Sequence, residues 1–363
     1  MRAAVLIEQK KPLVIEEVDI DGPKEGEVQV RISATGLCHS DLHNIKGEWQ
    51  NNVPAILGHE GAGIVEAIGK GVDHVAVGDN VIFSFRANCG HCANCARGVP
   101  VLCNGHKAPR QLMNDGTARV RLRGQPLFVS CRLGTFAEQV VCPAEQAIPV
   151  TKDIPPEVAA LIGCAVTTGV CAVTNAGMVG PGDTVAVIGC GGVGLSVIQG
   201  ARLVGASAII AIDVLDGKLE YAQEFGATHK VNGAREDVAK KVHEITNGGV
   251  DFAFEAIGLG PTVEQAVACL RPGGKAVIVG MAPVDHRASI DPYQLVRDQK
   301  TLMGTGYGNA RQRIDIPRMV EHYRAGRLDL DRMISHRYSL DEINEGFTRL
   351  QQGEAARGVV VFD

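Results

Sequence analysis

Over residues 27–32 polar and apolar side chains alternate with a period of two, the pattern of a strand with one buried face. Residues 61–65 and 80–83 repeat it, and Val77-Gly78-Asp79 is a turn signal before the second. Up to about Ile148 the chain therefore reads as short strands punctuated by Gly and Pro, with strand-like text again over 134–141. After Pro155-Pro156, residues 157–162 predict a helix entered through proline and ending at Gly163-Cys164. From about Thr167 the rhythm changes. Strands at 184–188, 208–212, 250–256 and 275–279 alternate with helices at 193–204, 218–225, 238–245 and 262–270. Such alternation predicts a parallel sheet covered on both faces. Beyond Tyr307 it stops, and helices at 316–325 and 340–350 with a strand at 358–362 are expected to return to the first domain. The expected division is residues 1–165 completed by 307–363, and residues 166–306.

A chain of 363 residues is long enough for about two domains. Its net charge of -5 argues against a general affinity for nucleic acid, and no basic stripe reverses that. The apolar run at 3–7 is too short for a secretory signal, and no stretch approaches the ~20 apolar residues that span a bilayer. A cytoplasmic protein without a membrane partner is expected. Eleven cysteines are many for a reducing compartment, which points to metal binding rather than disulfides.

Cys89, Cys92, Cys95 and Cys103 follow one another at separations of three, three and eight residues. Two C-x-x-C turns and a returning tail can close on one tetrahedral ion, leaving no position open, as in a structural zinc site. Metal binding would then hold a loop that lacks an apolar core. Two disulfides or an iron-sulfur cluster use similar spacings and remain alternatives, and His91 reads as a bystander. Upstream, Cys38-His39-Ser40-Asp41-Leu42-His43 gathers a thiol, two imidazoles, a hydroxyl and a carboxylate, a costly set near a core unless it holds something. Cys38 and His59 are candidates for two of the three protein ligands of a catalytic zinc, or else ordinary loop residues. The stretch 104–133 carries Arg110, Arg119, Arg121, Arg123 and Arg132 and reads as a solvated excursion in preference to an anionic-substrate or subunit contact.

Between the first strand and helix of the alternating region lies Gly189-Cys190-Gly191-Gly192-Val193-Gly194. Asp213 follows at the end of the next strand, the context a dinucleotide-binding fingerprint requires. Gly191 lets the backbone approach a pyrophosphate at a helix N-terminus, where free N–H groups favour anions. Asp213 can accept both adenosine ribose hydroxyls and repel a 2'-phosphate, which favours NAD over NADP; a plain strand-end cap is the alternative.

Taken together, these motifs make the chain similar to the zinc-dependent alcohol dehydrogenases of the medium-chain dehydrogenase/reductase family. The likeness runs through 36–41, Gly58-His59-Glu60, the four-cysteine lobe, Gly163-Cys164, the glycine fingerprint and 357–362. It implies an α/β protein with a GroES-like β-barrel catalytic domain and a Rossmann coenzyme domain of doubly wound parallel sheet. It also implies NAD, two zinc ions per chain, and Cys164 as third catalytic ligand. By the same resemblance Asp41 orients His59, Glu60 is an acidic neighbour that approaches the metal during ligand exchange, and Ser40 and His43 form a proton relay. His39 stands where many relatives carry an Arg on the cofactor pyrophosphate, a departure. Arg357 is implied as a second pyrophosphate contact, Lys218 as a ribose contact, with Gly192 in the loop and Thr168 and Val193 beside the nicotinamide. Trp49 and Phe85 are implied to line the substrate channel, or are core residues.

The expected activity is reversible hydride transfer between NAD and a primary alcohol, aromatic and allylic alcohols included, and its aldehyde. Rivals are an enzyme that retains its NAD, a dehydrogenase for a thiol adduct of formaldehyde, and an inert zinc-stabilised scaffold. A homodimer or homotetramer is expected from family likeness.

Overall fold

The computed structural model describes residues 1–353 and 356–363. It divides into two compact units: Met1–Cys164 with Arg311–Gly326 and Leu330–Asp363, and Ala165–Ala310 with Arg327–Asp329.

In the first unit the central strand is Glu27–Gly36, longer than the alternation at 27–32 alone. Val28, Val30, Ile32 and Ala34 are wholly buried, as a period of two requires when one face meets a core. The sheet runs in the order Ala147–Val150, Asn80–Phe83, Gly61–Ile68, Glu27–Gly36, Arg357–Val361, Ile334–Tyr338, with Gln139–Pro143 also paired to the central strand. The C-terminal strand lies antiparallel on the central one, Val359 opposite Gly36 and Val361 opposite Ala34. That pairing is how the tail returns to the first unit. A second six-stranded sheet contains Arg2–Leu6 and a hairpin of Val120–Leu122 and Gln125–Val129.

The hairpin corrects the expectation for 104–133, which is not a solvated excursion. Arg119 is buried there, donating to Glu27 at 2.6 and 2.8 Å and to Asp115 at 2.8 Å. A buried guanidinium needs such partners, because an uncompensated charge in a core is costly. Arg132 is buried too and donates to the Ala108 carbonyl at 2.6 Å, while Arg121 and Arg123 make surface pairs with Asp21 and Glu16. The strand expected over 134–141 begins only at Gln139.

The helix expected to stop at Gly163-Cys164 continues instead, as one stretch Pro156–Gly177 with π-type turns at Ile162–Val166 and Ala172–Gly177. Gly163 does not break it because it is the point of closest approach to strand Asn80–Phe83. A β-carbon there would come within 2.7 Å of the Phe83 carbonyl. Contrary to expectation, this helix is long and apolar enough to cross a membrane, but 83% of its apolar window is buried, the state of a core helix.

The second unit holds a six-stranded parallel sheet in the order His229–Asn232, Ala208–Asp213, Thr184–Ile188, Val250–Glu255, Leu270–Ile278, Thr301–Gly304. This is the strand order 3-2-1-4-5-6 of a doubly wound sheet, whose switch point lies between the first and fourth strands. The two edge strands escaped the periodicity reading. Each is four residues long and partly exposed, so neither shows a sustained apolar run.

Candidate active site

A buried cluster of candidate ligands is built from three separate parts of the first unit. Strand Glu27–Gly36 ends at Gly36 and helix His39–Ile45 follows, with Cys38 as its N-terminal flank in extended conformation. Gly58, at φ +91°, turns the chain just before His59, and a β-carbon there would strike Phe136 and Thr135. Cys164 comes from the helix laid against Phe83. The side chains of Cys38, His59, Glu60 and Cys164 are all buried, and their ligating atoms lie within 4.8 Å of one another.

The donor set fits a zinc ion. Tetrahedral coordination at the usual Zn–S and Zn–N lengths separates a sulfur from a nitrogen by about 3.5 Å. Cys164 Sγ lies 3.5 Å from His59 Nε2. Asp41 is wholly buried, and its Oδ1 accepts from Gly58 N at 3.0 Å and faces His59 Nδ1 at 3.3 Å, which directs Nε2 at the cluster. Glu60 is the cluster's carboxylate, and its Oε2 is paired with Arg357, itself buried. All four ligating atoms converge, the Glu60 carboxylate among them.

The electrostatics suit a cation. A hydrogen bond from Cys164 lowers the Cys38 thiol well below its usual pKa despite burial, helped by His59 and Arg357. Burial opposes charge on His59, yet Asp41 and Cys38 outweigh it and raise the imidazole well above its ordinary value. A metal binding here displaces that proton.

Of the remaining residues singled out in this unit, Ser40 and His43 lie on the helix His39–Ile45 at i and i+3, one face of the helix. His39 opens that helix and is exposed. Trp49 stacks on His43 with ring centroids 4.8 Å apart, and Phe85 stands edge-on to His59 at 5.5 Å. Sequence reasoning missed Glu48, whose carboxylate pairs with His43 Nδ1. No periodicity marks it; only its place five residues after a candidate relay histidine could have drawn attention.

Cys89, Cys92, Cys95 and Cys103 form a second cluster of converging ligands, and the exposed His91 is not part of it. Cys92 Sγ lies 3.5 Å from Cys95 Sγ and 3.9 Å from Cys103 Sγ, near the about 3.8 Å edge of a tetrahedral zinc–sulfur site. Backbone N–H groups of Cys89, Cys92 and Gly105 point at these sulfurs at 3.3 to 3.4 Å, stabilising thiolate charge. All eleven cysteines are free thiols, which removes the disulfide alternative.

In the second unit the glycine turn follows strand Thr184–Ile188 and opens helix Gly192–Val204. Gly189 has φ +95°, and a β-carbon on Gly194 would overlap the Gly189 carbonyl, so both are needed for the turn and for close packing. A β-carbon on Gly191 would meet nothing within 4 Å, so the backbone of the turn faces open space at the helix N-terminus. Asp213 is buried at the end of its strand. Its Oδ2 accepts from Cys190 N at 2.9 Å and its Oδ1 from Val214 N and Leu215 N at 2.8 and 3.1 Å. The carboxylate thus ties the glycine turn to the neighbouring strand, with lone pairs remaining for ribose hydroxyls. Lys218 stands in the first turn of helix Asp216–Glu224. Gly169 lets helix Thr167–Cys171 close onto the Val193 backbone, which places Thr168 near Val193.

Residues 24–152 match the family described as alcohol dehydrogenase GroES-like domain, and residues 192–324 match zinc-binding dehydrogenase. The chain is 40% identical to S-(hydroxymethyl)glutathione dehydrogenase of Paracoccus denitrificans, over 99% of both chains. It is 41% identical to NDMA-dependent alcohol dehydrogenase of Amycolatopsis methanolica, over 99% of this chain and 98% of that one. Benzyl alcohol dehydrogenase from Acinetobacter calcoaceticus superposes with a TM-score of 0.95 at 32% identity, covering 100% of this chain and 99% of the other. The two units are accordingly a GroES-like domain and a Rossmann-type coenzyme domain. With both metal clusters assembled and full-length relatives on every side, the chain belongs to the zinc-dependent alcohol dehydrogenases of the medium-chain dehydrogenase/reductase family, oxidoreductases acting on CH–OH with NAD and zinc as cofactors.

Proposed function

We propose that this enzyme oxidises a primary hydroxymethyl group to the aldehyde, reversibly, and that its first substrate is the hydroxymethyl adduct of formaldehyde with glutathione. The observation that carries the reaction type is the buried convergence of Cys38, His59 and Cys164, a donor set that would hold a zinc ion with a position left for an alcohol oxygen, beside a Glu60 whose Oε2 pairs with Arg357. Held by these residues, zinc would supply the Lewis acidity that makes an alcohol hydroxyl acidic, and NAD would supply the hydride acceptor. The chain's own residues handle the proton. Ser40 takes it from the alcohol, and His43, one helical turn further, passes it to solvent. Asp41 holds the His59 ring in register. Gly189, Gly191, Gly192 and Gly194 cradle the pyrophosphate, Asp213 and Lys218 the adenosine ribose, and Thr168 and Val193 flank the nicotinamide.

The glutathione adduct is favoured by the relatives of that name and by chemistry. Its carboxylates call for cations, and Lys107 and Arg110 are exposed in the stretch that also holds Arg132. The charge of Arg110 lies close enough to add to burial in lowering Arg132. A second reading, an aromatic alcohol, is favoured by Trp49 on His43 and Phe85 on His59, flat apolar surfaces beside the relay and a metal ligand. Steady-state rates with formaldehyde plus glutathione, benzyl alcohol and sorbitol, each with NAD and with NADP, decide between them. The adduct with NAD is expected to give the highest kcat/KM. A higher value for benzyl alcohol selects the second reading, and faster sorbitol turnover refutes both. An NDMA arm without added NAD reads whether the coenzyme stays bound.

We also propose a homo-oligomer. Strand Thr301–Gly304 is an open edge of the coenzyme sheet, and Val284, Tyr293 and Val296 nearby in sequence are about 70% exposed or more. Sedimentation equilibrium is expected to give a multiple of 38.4 kDa, and a monomer mass at micromolar concentration rejects it.

A further inference from the structure

The helix carrying Ser40 and His43 ends in a tight return. Lys46 N donates to Leu42 O at 2.9 Å, Gly47 sits at φ +70°, and Glu48 N donates to His43 O at 3.0 Å. This return sets the Glu48 backbone beside His43, and its Oε2 pairs with His43 Nδ1. Trp49 then covers one face of the same imidazole, its plane 25° from parallel, and its own carbonyl accepts from Gln9 Nε2 at 3.1 Å. The ring is held on one edge by a carboxylate and on one face by an indole. Both partners of the pair are mostly covered, with side chains 23% and 34% exposed.

A neutral imidazole carries one proton, and the nitrogen that lacks it is the acceptor. A carboxylate on Nδ1 takes the N–H of that nitrogen and leaves Nε2 with its lone pair. Once Nε2 accepts a proton, the same carboxylate faces the new positive charge. We propose that Glu48 is a positioning residue of the proton relay: it accepts the Nδ1–H of His43, keeps Nε2 as the acceptor, and balances the imidazolium. The inference rests on the relay reading of Ser40 and His43. Ser40 Oγ takes the alcohol's proton and gives up its own into the relay, and His43 Nε2 receives a proton from the relay and releases it to solvent, so the ring returns to its starting tautomer. No electrons move in these steps.

Glu48→Gln removes the negative charge with little change of shape, and its amide, able to accept through Oε1 or donate through Nε2, no longer fixes the Nδ1–H tautomer. General acid–base groups contribute about 10²- to 10⁴-fold, so kcat is expected to fall by about 10- to 100-fold in Glu48→Gln while KM for alcohol and NAD stays within about twofold. Glu48→Asp is expected to restore part of the loss. The second readout does not depend on turnover: the imidazole 15N shifts of the zinc-loaded wild-type enzyme at mildly alkaline pH, with His43 assigned by its loss in His43→Ala. Nδ1 is expected to be protonated and Nε2 bare in the wild type, and the two tautomers mixed in Glu48→Gln. A wild-type ring protonated on Nε2, or an unchanged tautomer and kcat in Glu48→Gln, overturns the inference. The relay reading is tested apart from this by His43→Ala. An unaltered kcat there removes the relay, whereas the tautomer still reports whether Glu48 orients the ring.

Discussion

Cys38→Ala is expected to leave a folded chain with one zinc instead of two and almost no turnover. Cys38, His59 and Cys164 are the cysteine and histidine donors of the cluster that could hold the catalytic zinc, and Glu60, its carboxylate, is paired with Arg357. Without the Cys38 thiolate, one nitrogen and one sulfur remain, too few for a catalytic zinc. The metal is worth several kcal/mol of transition-state stabilisation, and each 1.36 kcal/mol is tenfold, so activity is expected to fall by about 10³-fold or more. Cys89, Cys92, Cys95 and Cys103 form their own cluster and should keep their ion. Metal analysis alongside circular dichroism and a rate assay separates the outcomes. Full turnover with one zinc per chain, or loss of both ions with the fold intact, contradicts the assignment of Cys38 to the catalytic site.

How far the chain could be read unaided depends on whether an element's partners are near in sequence. The coenzyme strands at 184–188 and 250–256 and the helix at 193–204 were legible to within a residue or so, because a doubly covered parallel sheet writes itself as apolar runs. The four-cysteine lobe was legible from spacing, since its ligands lie within one loop. Cys164 was not. What brings it to His59 is Gly163 against the Phe83 carbonyl, a contact between residues 80 positions apart that no local pattern encodes. The Glu60–Arg357 pair, separated by 297 residues, and the Arg119–Glu27 pair, separated by 92, are invisible for the same reason. Arg119 in particular looked like part of a solvated basic stretch because charge alone does not say which face of a hairpin it occupies. Glu48 is different in kind. It is close in sequence to His43, but its meaning appears only when the return at Gly47 folds it back onto the imidazole.

Cys103→Ser is expected to weaken the hold on the second zinc, so that a chelator strips it, and to lower the melting temperature while the catalytic zinc stays. Between Cys89 and Gly105 the only buried hydrophobic side chain is Val101, and the ordered elements are a four-residue helix at Ala93–Ala96 and a short turn at Pro100–Leu102. So little apolar burial cannot hold the segment, and the metal must. Structural zinc binds with about 10–16 kcal/mol, and if removing one sulfur forfeits about 4 kcal/mol of it, the transition should fall by about 8–16 °C for a unit of this size. Cys103 is the informative position because three backbone or side-chain donors and acceptors of the lobe meet at its sulfur, including Cys89 N at 3.3 Å and Gly105 N at 3.4 Å. The loosened lobe reaches the rest of its unit through Arg132 on the Ala108 carbonyl and Val129 N on Gln111 O, so the loss should spread to the hairpin that carries Arg119. Scanning calorimetry and zinc content, measured before and after a chelator, check it. Two zincs retained at an unchanged melting temperature would show that the lobe holds itself without its metal.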